Sequence, residues 1–428
     1  MYSSYSSLQQ SQLAAQGYYD TQSTYLLVYA PGRSTALRAT LADQLHRKFR
    51  LADTLGSALT EGVDGVLLVS EDVECMSTAL MCFAKALQDG ADYAVCNAVF
   101  GFGGATALYQ SRAHLAQNRC ALVSRPLLER CRAAAKDPEN VTELLALAAQ
   151  FCAHPARIPQ ALLHYERDIC AEDAFSATGK RAFLMSHVLD MTGAPIVLVS
   201  AVPVLRSMGY EVVVLGPSDG GALQLFVDAG AAVITRPGIR ATPNLWGLAL
   251  CTDLVLVNTV VMARTVRALS GTAVPVLWWL HDAFAGYPHI AHQIPTKLAE
   301  NVRLYSVGHH AANAMHAVRP DFQIGQLIYG LPDYAAEDFP RCDLGYPADK
   351  PLFATVGSFE RRKGHDIFCA AIRLLPEEVR NKATFLFVGM AADKEMMDAV
   401  RSLTTDCPEN VFYCKRLSRD EIKNLMEQ

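Results

Sequence analysis

Short, unbroken apolar runs recur along this chain and alternate with segments of helical period. In the first third, "YLLVYA", "VDGVLLVS" and "YAVCNAVF" are continuous and short, the pattern of strands buried on both faces. "TALMCFAKALQDG" is amphipathic at helical spacing and stops at Gly90. "TELLALAAQFCAHP" is a helix stopped by Pro155, and "ARIPQALLHYER" closes the segment. About three strands are legible here, few for a doubly wound domain.

The alternation is clearer from residue 180. "RAFLMSHV" is a strand, "TGAP" a turn, and "IVLVSAVPVLRSMG" a helix ending at Gly209. "YEVVVLG", "AAVITR", "DLVLVNT" and "PVLWWLHD" are strands, with the helix "GGALQLFVDAG" among them. "LYSVGH" and "QIGQLIYGL" complete the set. Strands alternating with helices predict a parallel sheet covered on both faces, which binds ligands beyond the carboxyl ends of its strands. After the Pro- and Asp-rich loop "PDYAAEDFPRCDLGYPADK" come three strand–helix units. These are "PLFATVG" with "GHDIFCAAIRLLP", "ATFLFVG" with "DKEMMDAVRSL", and "VFYCK" with "SRDEIKNLMEQ". Three units make half of a doubly wound domain, so the chain reads as a fragment.

Composition narrows the classes. With 428 residues, 51% hydrophobic and 19% charged, the chain can bury large cores. A net charge of −5 argues against a general nucleic-acid binder and leaves room for a local basic pocket. The twelve cysteines are scattered with no C-x-x-C spacing, as expected of reduced buried thiols and not of zinc. The first 24 residues, rich in Ser, Gln and Tyr, lack the basic and apolar regions of a signal peptide and read as a disordered leader. "APIVLVSAVPVL" and "AVPVLWWL" are too short to span a bilayer. These features point to a cytoplasmic chain, with a peripheral membrane position left open.

Four stretches carry candidate chemistry. "FERRKGHD" places Arg361, Arg362 and Lys363 between a strand ending in Gly357 and a helix start. Free N–H groups and the helix dipole attract anions, and cationic side chains add charge-assisted bonds. That is the geometry for a diphosphate, although a solvated loop fits the spacing equally. In "MTGAP", Gly193 permits close approach of a ligand and Pro195 fits a first helical turn; a plain tight turn is the alternative. Neither this nor "GFGG" at 101–104 is a G-x-G-x-x-G, which disfavours dinucleotide binding.

"LWWLHDAFAGY" delivers His281 and Asp282 to the carboxyl end of an apolar strand, as a titrating group with a carboxylate for a sugar hydroxyl, or as a structural pair. His309 and His310 follow another strand, lining the same cleft or capping a helix. His289 and His292 lack the partners of a metal set. In "LLVSEDVE", Glu71 and Asp72 suit a divalent metal on a nucleotide diphosphate, or a helix N-terminus.

Taken together, "RAFLMSHVLDMTGAPIVL", "GYEVVVLGPSDGG", "LWWLHDAF", "LIYGLPD" and "VGSFERRKGHD" resemble a GT-B glycosyltransferase of the large retaining family 4, from about residue 180 to the end. The resemblance implies an α/β chain of GT-B type whose Rossmann-like domains hold a UDP- or GDP-linked sugar between them. It implies no separate cofactor and no metal. Gly193 and Ala194 would approach the donor phosphates, and His281 would act near the reacting sugar. Lys363 with Arg361 or Arg362 would neutralise the leaving diphosphate, which is why no metal is needed. Gly357, Ser358, Gly389 and Leu417 fall on the same donor side. Ser358 stands where many members carry Arg, and the family's Glu-containing donor motif would lie beyond "IKNLMEQ".

Residues 60–170 resemble, more weakly, the back half of a family 2 GT-A glycosyltransferase. Ser70 stands in the first position of its Asp-x-Asp metal motif, Asp72 is retained, and Glu143 is available as a base. "NRCALVSRPLLERC" and "ARIPQALLHYERD" match its later segments. The domains expected are thus a leader over 1–24, a degenerate GT-A-like domain over 25–170, an acceptor domain over 178–335, and the first half of a donor domain over 350–428. The function implied is retaining transfer of a sugar to a glycan or lipid-linked acceptor, without nucleic acid as partner. A non-catalytic binding or assembly module and a nucleotide-sugar epimerase of the same fold are the alternatives.

Overall fold

The computed structural model describes residues 21–32, 35–56, 58–59, 62–102, 105–110, 119–175, 179–218, 220–239, 247–330, 350–390, 393–415, 417 and 419–427. Most of the leader, the loop over 331–349 and the side chain of Arg362 lie outside the described residues. Two compact units emerge, residues 1–330 and 331–428.

The first unit carries β1 (Leu26–Tyr29), β2 (Phe49–Ala52), β3 (Gly65–Val69), β4 (Glu74–Cys75), β5 (Tyr93–Phe102), β6 (Ala105–Gln110), β7 (Cys120–Ser124) and β8 (Pro155–Asp168). It continues with β9 (Lys180–Met185), β10 (Tyr210–Gly216), β11 (Ala232–Thr235), β12 (Leu254–Asn258), β13 (Val276–Leu280), β14 (Val302–Ser306) and β15 (Ile324–Gln326). All belong to one sheet, ordered β15-β14-β13-β12-β9-β10-β11-β6-β5-β7-β3-β1-β2, with β8 pairing β5 and β4. The segment where three strands were legible contributes eight. The extra ones include the half-buried "FRLA" at 49–52, the two-residue β4, the hairpin strand β6, and β7, a buried run of five residues.

From β9 to β15 every pairing is parallel. The two segments read separately in the sequence meet where β11 pairs β6 antiparallel, Ile234 opposite Tyr109. Thr21 and Thr24 are buried, and Thr21 Oγ1 lies 2.9 Å from His46 Nδ1, so packed structure includes the end of the stretch read as leader.

Sequence pattern explains these elements. "LVLVN" and "VLWWL" are almost wholly buried because helices cover both faces of a parallel sheet. Trp278 is fully buried, its indole N–H donating to the Thr259 carbonyl at 2.8 Å; such a ring contributes roughly 1.5–3 kcal/mol by burial. The helix Gly193–Ser207 buries Pro195, Leu198, Val202 and Leu205.

The second unit has a three-stranded parallel sheet, β16 (Leu352–Val356), β17 (Thr384–Val388) and β18 (Val411–Cys414), in that order. Its core joins Phe359, Cys369, Ile372, Phe387, Met396, Val400 and Leu403. No helix among the described residues is long and apolar enough to cross a membrane.

Candidate functional site

Within the parallel half of the large sheet, strand order runs outward from β9 through β10 and β11 on one side, and through β12 to β15 on the other. The order therefore reverses between β9 and β12, and this switch point opens a crevice at the strands' carboxyl ends. Asn258, the last residue of β12, is fully buried there and donates from Nδ2 to the Ala194 carbonyl at 3.0 Å. The bond ties the first turn of the Gly193–Ser207 helix across the reversal. A Cβ at Gly193 would meet nothing within 4 Å, and Thr192 makes no side-chain cap, so that helix start is open to an anionic ligand.

His281 and Asp282 follow β13. The Nε2 of His281 is buried without a hydrogen bond, and the ring lies 4.8 Å from that of Trp279. Burial first, then the charge of His187, lowers its pKa to about 4, so the imidazole is neutral near pH 7. Asp282 Oδ2 accepts from the Val260 amide at 2.6 Å. Burial raises the pKa of this carboxyl, opposed by its backbone hydrogen bonds. Between them, Thr259 Oγ1 lies 3.3 Å from His187 Nδ1. Thr259 has φ 72° and ψ 160°, a region essentially reserved for glycine that costs about 1–3 kcal/mol. His309 and His310 are exposed at the start of the helix His309–His316, with His310 edge-on to Phe284 at 5.6 Å.

In the second unit, β16 runs into Gly357 and Ser358, whose hydroxyl bonds Glu360. Arg361–Lys363 form a 3-10 turn, and Gly364 takes the left-handed φ of 70° that lets the helix His365–Leu374 start. Arg361 and Lys363 are exposed. Arg361 lies 3.9 Å from Glu395, an exposed pair worth little, so its charge remains available. His365 is buried against the Phe359 ring at 4.6 Å, and burial lowers its pKa. Gly389 follows β17, where a Cβ would run into the Gly357 carbonyl; the two strand-end loops touch because Gly389 carries no side chain. Leu417 is buried in the core with Leu386, Val388 and Leu425.

The acidic residues of the N-terminal segment are engaged elsewhere. Asp72 accepts from the Ala36 and Leu37 amides at 3.1–3.3 Å, at the start of the helix Thr35–Leu41. Glu71 holds Arg167 at 2.6 Å, and Arg167 also grips Asp173 at 2.6 and 2.9 Å. Burial alone would raise the Asp173 pKa, but its bonds to Arg167 and Cys170 outweigh it and lower it. Glu143 accepts from the Lys136 and Asp137 amides, and Ser70 donates to the Arg119 carbonyl.

His281, Asp282, Gly193 and Ala194 thus share the strand ends of the first unit, while Gly357, Ser358, Arg361, Lys363 and Gly389 share those of the second. Two surface clefts, of about 750 and 680 Å³, lie elsewhere, one along Lys85, His154 and Arg157 and one along Lys297, Arg303 and Asp321. The sequence reading passed over Asn258, Thr259 and His187. Their one signal is position: each closes a strand-like apolar run, "LVLVNT" or "RAFLMSH".

Among solved structures, the chain is similar to Anabaena HepE in complex with UDP and glucose at 17% identity, covering 58% of this chain and 71% of that one, with a TM-score of 0.45. The glycosyltransferase WaaG, involved in lipopolysaccharide biosynthesis, matches at 16% identity over 57% and 72%, with a TM-score of 0.43. A glycosyltransferase from Rickettsia africae matches at 14% over 58% and 70%, also at 0.43. No curated protein matches the chain. Residues 178–316, which hold the switch point and the His281 strand, fit the model of the glycosyl-transferase family 4.

Proposed function

We propose that the protein is a retaining GT-B glycosyltransferase that moves a sugar from a UDP- or GDP-linked donor to a glycan or lipid-linked acceptor hydroxyl. The observation that carries this reading is the family match over residues 178–316, which encloses the neutral His281 at a topological switch point.

In this reading the diphosphate lies against Arg361, Arg362 and Lys363 and the first N–H groups of the helix His365–Leu374. The bond from the anomeric carbon to phosphate oxygen breaks, and the departing nucleoside diphosphate gathers negative charge that these cations stabilise. The acceptor oxygen bonds the anomeric carbon from the same face, and its proton passes to the departing phosphate oxygen. Positive charge builds on the sugar ring during this step. A neutral His281, at the strand ends of the first unit, accepts or donates a hydrogen bond to a sugar hydroxyl without adding charge, as a partly protonated histidine would. No metal is required where fixed cations meet the diphosphate.

Residues 25–170 serve as a non-catalytic partner. Asp72, Glu71 and Glu143 are already committed to hydrogen bonds within the fold, and the segment continues the sheet of its neighbour.

The test is release of UDP or GDP from UDP-glucose and GDP-mannose, with and without oligosaccharide acceptors. Release that disappears in His281→Ala supports the reading; unchanged release in that variant defeats it.

A further inference from the structure

Among the described residues, Thr259 is the only non-glycine with a positive φ. A branched Cβ makes that conformation worse than it is for most side chains. Hydrogen bonds on every side enforce it. The Thr259 amide donates to the Trp279 carbonyl at 2.8 Å, the Thr259 carbonyl accepts from the Trp278 indole at 2.8 Å, and the next amide, Val260, is held by Asp282 at 2.6 Å.

Glycine would relieve the strain at this position, yet threonine stands there, so the side chain supplies the reason. Thr259 is 1% exposed, and its hydroxyl meets His187 Nδ1 at 3.3 Å, shielded from water. An imidazole bonded at one nitrogen is fixed in orientation and tautomer. His187 follows β9 and His281 follows β13; β12, which delivers Thr259, lies between those strands in the sheet.

We propose that Thr259 is a positioning residue that orients His187, and that His187 is a second histidine contacting the sugar donor beside His281. The donor's identity rests on the glycosyl-transfer reading above; the orientation of His187 does not.

The test uses the full chain labelled with ¹⁵N-histidine, comparing imidazole spectra of the wild type, Thr259→Val, Thr259→Ser and Thr259→Gly, with His187→Gln for assignment. One dominant His187 tautomer is expected in the wild type and Thr259→Ser. Thr259→Val and Thr259→Gly should shift the His187 tautomer balance away from that of the wild type, while Thr259→Gly, relieved of strain, melts no lower than the wild type. A His187 signal unaltered by both Val and Gly overturns the positioning role. Titration with UDP-glucose and GDP-mannose then reads contact. Shifts of both His187 and His281 are expected with at least one donor; a shift of His281 alone overturns the second-histidine role. If neither ring responds to either donor, the glycosyl-transfer reading falls and takes the donor contact with it, leaving the tautomer result intact.

Discussion

The Val260 amide donates to Asp282 Oδ2 at 2.6 Å, so the carboxylate that follows β13 holds the backbone that follows β12. This bond crosses between neighbouring strand ends and fixes the loop in which Thr259 is strained. Asp282 therefore shapes the site through Val260 as well as by standing next to His281. Asp282→Ala removes a charge-assisted bond worth about 1.5–3 kcal/mol and should lower the unfolding midpoint in urea accordingly. Asp282→Asn, which keeps an acceptor oxygen, should lose less than half as much.

His281 predicts a distinctive pH response. Its folded pKa of about 4 lies below the ordinary 6.5, so the unfolded chain binds the extra proton first. The stability it contributes is present above pH 6.5 and is lost as pH falls towards 4, a difference of roughly 3 kcal/mol. Asp282, raised in the folded state, titrates in the opposite sense and offsets part of it. His281→Asn should flatten the stability profile across that window in calorimetric or urea titrations. The acid limb of kcat/KM should likewise fall below pH 5 and not near 6.5.

Gly389 and Gly357 give a steric prediction in the second unit. A Cβ at Gly389 strikes backbone, which has no rotamer to give way. Gly389→Ala should cost about 1–3 kcal/mol and push the Gly357 loop aside, weakening UDP binding measured by calorimetry by at least about tenfold. Unchanged affinity would remove this loop from the donor site.

Arg167 bears on the N-terminal segment. Breaking its contacts leaves Asp173, 4% exposed, as a buried carboxylate with less compensation. Arg167→Met should destabilise by roughly 3 kcal/mol while leaving nucleoside diphosphate release from intact protein unchanged. Lost release at a temperature where the variant is folded would give this segment a part in the chemistry.

Much of this was legible in the sequence where local signals agree with the fold. "VLWWL" and "LVLVN" are continuous apolar runs because both faces of a parallel strand are covered, and Gly209 and Gly90 mark helix ends with φ of 86° and 95°. "FERRKGHD" gave the cationic stretch between strand and helix start, and the left-handed Gly364 was not foreseen. Long-range pairing was not legible. The join between Ile234 and Tyr109 links residues 125 positions apart, β2 is half-buried throughout, and β8 buries only Ala161–Leu163 as a continuous run within fourteen residues. "QIGQLIYGL" reads as a full strand, yet β15 covers only Ile324–Gln326. Leu417 was placed with donor residues, and its side chain lies in the core. Thr259 was invisible because its interest lies in a backbone angle, and only the packed neighbours Trp278, Trp279 and Asp282 impose that angle.

The central claim is that the cations after β16 stabilise a departing nucleoside diphosphate. Its most direct measurement is release of nucleoside diphosphate from UDP-glucose and GDP-mannose by the wild type and Lys363→Ala, both checked for equal thermal unfolding. The account predicts release by the wild type with at least one donor and a loss of at least about 100-fold in kcat for the variant, the size expected when a charge at the leaving group is removed. Equal turnover by the two proteins would contradict it.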